Sequence, residues 1–201
     1  MSDAILRLKI VLVDTEPPIW RRVEVPAEMT LKDLHTVIQA AMGWQNAHLY
    51  QFHVGRETID GPGMGGGGWG ESRSIGAGRV RLEDLTARSV KRFDYVYDMG
   101  GDSWEHRIQI ERLLAADPAV SYPQLLDGAL CCPPEDVGGV PGFYEFLDAM
   151  SDPTHPDHDD RIDWYGGKFD PEEFDVERIR KDLSRIAARR KRAAVKRARS
   201  A

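Results

Sequence analysis

The chain is poor in cysteine and has no long apolar run. Its 201 residues include two cysteines, the adjacent pair Cys131 and Cys132. Adjacent thiols close a disulfide only with strain, and no Cys-x-x-Cys pair is present. A disulfide framework and a zinc ribbon are therefore not expected, and reduced thiols fit best. No stretch approaches the ~20 apolar residues that span a bilayer. Residues 1–5 lack the basic n-region and long h-region of a secretory signal. These absences lead us to expect a cytoplasmic protein with no membrane partner. Catalytic signatures are missing too. The glycine-rich stretch 61–70 is not followed by Gly-Lys-Ser/Thr or by a helix in the dinucleotide-binding register, so it reads as a surface loop holding Trp69. There is no Gly-x-Ser-x-Gly nucleophile elbow.

What is present is an ordinary globular composition, 41% hydrophobic and 30% charged, in a length that fits one domain with its own core. Charge is unevenly distributed. Of 27 basic and 33 acidic residues, eleven basic and one acidic (Asp182) lie from Arg178 onward, which leaves 16 basic against 32 acidic before it. An acidic body with a basic end suggests a polyanion-binding arm. Its candidate residues are Arg189, Arg190, Lys191, Arg192, Lys196, Arg197 and Arg199. The plainer reading is a solvated helix end that neutralises the body and suits the helix dipole.

Residues 5–13 and 19–25 read as strands, with Leu6, Leu8, Ile10 and Leu12 on one face and Ile19, Arg21, Val23 and Val25 on another. Thr30 with Asp33 forms a capping-box signature before a helix that Gly43 ends. His48 to Val54 is a third strand. Val80 to Leu85 reads as a short strand or turn, and 93–98 with 104–110 as a hairpin across Met99 to Ser103. Residues 141–150 read as a helix, and 152–163 as an acidic loop containing His155 and His158. Asp170-Pro171-Glu172-Glu173 is a helix-start signature, with Asp175 as a second cap. The last helix has an apolar stripe of Val176, Ile179, Leu183 and Ile186 that dies out beyond it. We expect one domain over 1–187 and a basic helical or disordered tail over 188–201.

Two segments in the middle of the chain concentrate chemistry-bearing residues: Tyr97 to His106, and Cys131 to Gly139. On the hairpin, Trp104, His106, Ile108 and Ile110 share a face by the period of two. His106 then has two readings. Either it is a half-buried histidine bonded to Asp98 or Asp102, or Asp98, Asp102 and His106 converge on a ligand. Trp104 on the same hairpin is a further candidate, and Cys131 or Cys132, Glu135 and Asp136 join if the Pro-Pro loop folds back over the hairpin. No motif assigns a cofactor. Imidazole with carboxylates would suit a divalent metal such as Zn²⁺ or Mn²⁺. A reactive thiol would need a nearby cation or histidine. Trp20 with Arg21 and Arg22, together with Trp44, reads either as an interaction face or as core.

Several of these segments carry a family resemblance. Pro17-Pro18-Ile19-Trp20-Arg21-Arg22, Leu34-His35, Gln39-Ala40-Ala41-Met42-Gly43-Trp44 and His48-Leu49-Tyr50-Gln51-Phe52 resemble the plasmid pRiA4b ORF-3-like family. So do Tyr97-Asp98, Gly101-Asp102-Ser103-Trp104-Glu105-His106, Pro133-Pro134-Glu135-Asp136-Val137-Gly138-Gly139 and Phe169-Asp170-Pro171-Glu172-Glu173-Phe174. The resemblance covers most of residues 5–186. Val137 departs from it, since cysteine is expected there, and the glycine insertion and basic tail lie outside its core. It implies an α+β fold, β-grasp-like (ubiquitin-like), with an added hairpin and C-terminal helices. The strand, strand, capped helix, strand opening agrees. It implies no particular activity. A recombinase reading finds neither a nucleophilic serine in an Arg-rich sheet nor an Arg, His, Arg set around a late tyrosine. Two functions remain. One is a non-enzymatic binding module for a protein or nucleic acid. The other is a metal-dependent or thiol enzyme centred on Asp98 to His106 and Cys132 to Asp136.

Overall fold

The computed structural model describes residues 4–63 and 75–200. The glycine-rich loop from residue 64 onward, with Trp69, lies outside the described residues. In chain order the elements are β1 (Ala4–Leu12), β2 (Trp20–Pro26), α1 (Leu31–Met42), β3 (Tyr50–Val54), β4 (Glu57–Asp60), β5 (Ile75–Gly76) and α2 (Leu82–Ala87). Then come β6 (Arg92–Tyr97), β7 (Trp104–Ala115), β8 (Gln124–Ala129), α3 (Gly139–Ser151), α4 (His158–Tyr165) and α5 (Val176–Ser200). The chain is mixed α+β, as expected. One eight-stranded sheet has the order β5-β4-β3-β6-β7-β1-β2-β8. Every pairing is antiparallel except β4 with β5.

The period of two decides which face is buried. Leu6, Leu8, Ile10 and Leu12 of β1 meet Val23 and Val25 of β2, Ile108 of β7, and Phe52, Phe93 and Tyr95 of the far strands in one core. Burying each such side chain contributes roughly 1.5–3 kcal/mol. α1 lies on this face, tied to it by Gln39 Nε2 donating to the Tyr95 hydroxyl at 3.2 Å and by the His35 ring stacked on Tyr50 at 3.6 Å. The opposite face is polar. There Arg7 pairs with Glu24 at 2.8 Å and Arg22 with Glu111 at 2.9 Å. Trp20 also lies on this face, with Lys9 and Arg22 over its ring at 4.9 and 5.0 Å. Core packing therefore describes Trp44 and not Trp20.

Caps set the helix limits. Thr30 accepts the Asp33 N–H at 3.1 Å while Asp33 accepts the Thr30 N–H, and Gly43 closes α1 at φ 98. A non-glycine residue would be strained there. Asp175, not Asp170, begins α5, accepting the Arg178 N–H at 2.9 Å. The Pro171 carbonyl is taken instead by the Cys131 N–H at 2.9 Å, which docks the segment as a turn.

Two other expectations are corrected. Residues 82–87 are a helix rather than a strand, because Leu82 and Leu85 both reach the core at helical spacing while Asp84 accepts the Arg81 N–H at 2.8 Å. The acidic segment contains α4, where Asp159 and Asp160 sit at the favourable positive end and Gly166 closes the helix at φ 84. Strands β4, β5 and β8 have no strong period and were not expected.

α5 is one helix from Val176 to Ser200, and Ile179, Leu183 and Ala187 are its buried stripe. Among the described residues no helix is long and apolar enough to cross a membrane. The α1 cap should matter to the whole fold, because α1 covers the sheet. Thr30→Ala should cost about 1 kcal/mol and lower the melting temperature by roughly 2–4 °C in a circular-dichroism melt. An unchanged midpoint would show that the capping box is dispensable.

Candidate functional site: a cleft where three loops meet

Three connections converge beside the start of α5: residues 43–49 between α1 and β3, 98–103 between β6 and β7, and 130–138 between β8 and α3. Beneath them lies Arg21, which the β2 period aims into the core. It is 2% exposed. Its Nε donates to the Ala41 carbonyl at 2.9 Å and Nη1 to Trp20 and Ala129 carbonyls at 2.9 and 2.7 Å. Nη2 donates to the Leu130 carbonyl at 2.9 Å, and the guanidinium lies over the Phe174 ring at 4.7 Å. Burial lowers its pKa, yet a guanidinium remains charged. The carbonyl end of α1 supplies part of the compensating negative potential.

The two central motifs meet in space. Asp98 turns its carboxylate inward, accepting the Asp102 N–H at 2.7 Å. A Cβ on Gly101 would strike that carboxylate, so any other residue there would have to displace it. Asp102 reaches the other motif, accepting the Val137 N–H at 3.1 Å and the Gly138 N–H at 3.0 Å where α3 begins. An anion is favoured at that helix end. Glu135 accepts the Tyr97 hydroxyl at 2.5 Å and the Gln45 N–H at 2.9 Å. Burial first, then Glu135, push the Tyr97 phenol upward, so it stays protonated and donates. The same oxygen accepts the Ala47 N–H at 2.9 Å and the His48 N–H at 3.4 Å. Trp44 Nε1 donates to the Pro133 carbonyl at 2.9 Å.

His48 is the residue that spacing did not single out. Its Nδ1 stands 3.3 Å from Asp98 Oδ1 and its Nε2 3.3 Å from Asp136 Oδ1. Asp98 is fifty positions away in sequence, so no local pattern could couple them. His106, by contrast, is fully buried, with Nδ1 on the Trp104 carbonyl at 3.1 Å and its ring edge-on to Trp44 at 5.2 Å. Asp98 and Asp102 are bonded elsewhere and neither reaches it. Trp104 is also in the core, stacked on Trp44 at 5.8 Å. Among the described residues its Nε1 and His106 Nε2 show no hydrogen-bond partner. His158 Nδ1 is taken by the Ala149 carbonyl at 2.7 Å on α3, and the Nδ1 of His155 accepts the Asp157 N–H at 3.1 Å.

Beside these loops opens a cleft of about 450 Å³, lined by Arg21, Cys131, Cys132, Glu135, Asp136, Trp164, Tyr165, Glu173 and Arg178 among others. Both cysteines are free thiols. Burial pushes the Cys132 thiol far above its ordinary value and raises Cys131 as well. Neither has the lowered pKa that a nucleophilic thiolate needs.

A family model for the plasmid pRiA4b ORF-3-like protein matches residues 4–178. The chain belongs to the plasmid pRiA4b ORF-3-like family. It is 41% identical over 193 residues to the uncharacterised protein y4hQ of Sinorhizobium fredii, covering 94% of this chain and 95% of that one. It also resembles the crystal structure of MM3350, a protein of unknown function from Methanosarcina mazei Go1. That match has a TM-score of 0.76 at 33% identity and covers 87% of this chain and 96% of the other. The pRiA4b ORF-3-like match stops at residue 178, so it takes in all three converging loops and leaves out the basic part of α5. Val137, the departure from the expected cysteine, is buried in the core.

Two expected outcomes follow from the buried titratable side chains. Arg21→Met would strand four carbonyls, so urea unfolding should show a loss of at least ~3 kcal/mol. Arg21→Lys should recover less than half, because an ammonium lacks the planar five-donor fork. Full rescue by lysine would mean that charge rather than geometry matters. Separately, burial holds both His35 and His106 near a pKa of about 4, against about 6.5 when unfolded. Between those values the unfolded chain binds more protons. Stability is therefore fully present above about pH 6.5 and falls as pH drops toward 4. Urea midpoints should decline across that window with a slope approaching about two protons, and His106→Gln should remove about one. A flat profile would contradict burial of neutral histidines.

Proposed function

We propose that this pRiA4b ORF-3-like protein is a non-enzymatic binding module that engages nucleic acid through the basic end of α5. The observation that carries the reading is the way α5 divides. Up to Ala187 one face is buried, and Arg190 turns back to pair with Glu28 at 3.2 Å and Asp33 at 3.0 Å. Arg189, Lys191, Arg192 and Arg199 are exposed along the same helix. Lys196 and Arg197 continue the run, and the Arg197 side chain lies outside the described residues. Ten residues of helix span about 15 Å, a length that faces roughly four phosphates on one strand. On this reading residues 1–187 form the body, 188–201 the arm, and the protein works in the cytoplasm.

The thiol-enzyme alternative lacks an activated cysteine, as the raised thiols indicate. In architecture we read the domain as β-grasp-like in its opening, two antiparallel strands followed by a helix across their inner face. The antiparallel β1–β7 pairing and the outer strands are elaborations of that plan.

The test is fluorescence anisotropy of labelled duplex DNA and single-stranded RNA with the full chain, at about 50 and 200 mM salt. Binding should weaken roughly 100-fold across that range if about four phosphates are neutralised. Replacing Arg189, Lys191, Arg192 and Arg199 together by glutamine should abolish most of the affinity and flatten the salt slope. Binding that ignores salt or survives the substitution would overturn the arm model, as would no binding at micromolar protein.

A further inference from the structure

We infer that His48, Asp98 and Asp136 form a binding site for one divalent transition-metal cation, independent of the basic arm. One ligand atom from each residue can be chosen so that all three lie within 4.8 Å of one another, and no other such group exists among the described residues. Two donors at ~2.1 Å from a tetrahedral ion stand about 3.4 Å apart. An imidazole gives one ion one nitrogen, so only one 3.3 Å separation can serve as an edge: His48 Nδ1 to Asp98 Oδ1 matches it, while Asp136 faces the other ring nitrogen. With the donors within 4.8 Å of one another, the exposed Asp136 side chain must swing inward by somewhat more than ~1 Å to complete the set.

The charge is right for a dication: two carboxylates and a neutral imidazole carry two negative charges. The donor set is right for a first-row metal, since imidazole favours zinc over calcium and magnesium and the two carboxylates also admit manganese. Three protein ligands leave further positions for water or a bound group, as in open rather than closed sites.

The three ligands are also held in place by contacts that do not involve an ion, which is what a metal site needs from its surroundings. The Asp98 side chain is 11% exposed, and its other oxygen is fixed by the Asp102 N–H at 2.7 Å. His48 is positioned through its backbone N–H on the Tyr97 hydroxyl and by its ring edge-on to Tyr97 at 5.7 Å. The segment bearing Asp136 is held on both sides. Glu135 bonds Tyr97 and Gln45 on one side, and Asp102 bonds Val137 and Gly138 on the other. Asp136 is 70% exposed at its side chain and also lines the cleft, so an ion here would face it.

The experiment titrates the metal-stripped full chain with Zn²⁺ by calorimetry and with Mn²⁺ by electron paramagnetic resonance. We expect one saturable equivalent per chain. His48→Gln and Asp136→Asn should each weaken it at least tenfold, with unchanged circular dichroism. Asp136 is exposed, so its variant tests the site without threatening the fold. His155→Gln should leave binding unchanged, which separates this site from the acidic segment around α4. Absence of a saturable equivalent would overturn the inference. So would binding that ignores Asp136→Asn or is lost with His155→Gln.

Discussion

The buried guanidinium of Arg21 is the constraint on which the rest depends. A cation removed from water is tolerated only when its donors are met, and four of its five N–H groups find carbonyls. Those carbonyls belong to the last turn of α1, to β2 itself, to the end of β8 and to the residue before Cys131. One side chain thus fixes the helix over the sheet, the edge strand, and the start of the Cys-Pro-Pro-Glu-Asp segment. Phe174, just before α5, closes over its face. A hydrophobic residue could fill the volume, but only a planar fork can hold four separate backbone groups in register.

From that anchor the loops are joined by polar contacts as well as by the packing of Trp44, Cys132 and Val137 in the core. Tyr97 gathers two amide donors and one carboxylate acceptor on a single oxygen. Glu135 and Asp102 then each spend both carboxylate oxygens on groups from other loops. A part-buried network of this kind holds its members in place when each is satisfied. The result is a preformed corner where His48, Asp98 and Asp136 face one another, beside a cleft with an aromatic wall. The basic end of α5 lies outside this arrangement, with Arg190 as its link back to the acidic start of α1. Acidic residues dominate the chain before Arg178, and basic ones run along α5.

Much of the fold was legible. β1, β2, α1, β3 and the β6–β7 hairpin carry clear periods, a capping box and a glycine stop, and they occur within a residue or two of the expected bounds, except that β7 runs on to Ala115 instead of ending at 110. β8 was not legible because Gln124 to Ala129 has little strand preference. It exists because β2 offers an unpaired edge and Gly128 lets Phe174 and the Trp20 carbonyl approach. α4 was read as a loop because its polar sequence has no apolar stripe. It is ordered by Trp164 and Tyr165 packing edge-on against Phe146 of α3. At the site, Asp98, Asp102, Glu135 and Asp136 do come together, while Trp104, His106 and Cys132 belong to the core. His48 was missed, and Arg21 was visible only as a charge on an apolar face.

The sequence by itself determined what local physics controls: the α+β class, the buried strand faces, the caps, the separation of acidic body from basic end, and the family. Which titratable groups face one another was decided only by the tertiary structure. That outcome depends on contacts between residues 35 or more positions apart, set by strand order and by carbonyls seeking donors. The period of two placed His106 on the apolar face correctly, but it could not say that the two neighbouring carboxylates would turn elsewhere. They do so because backbone amides at 102, 137 and 138 are nearer and otherwise unpaired.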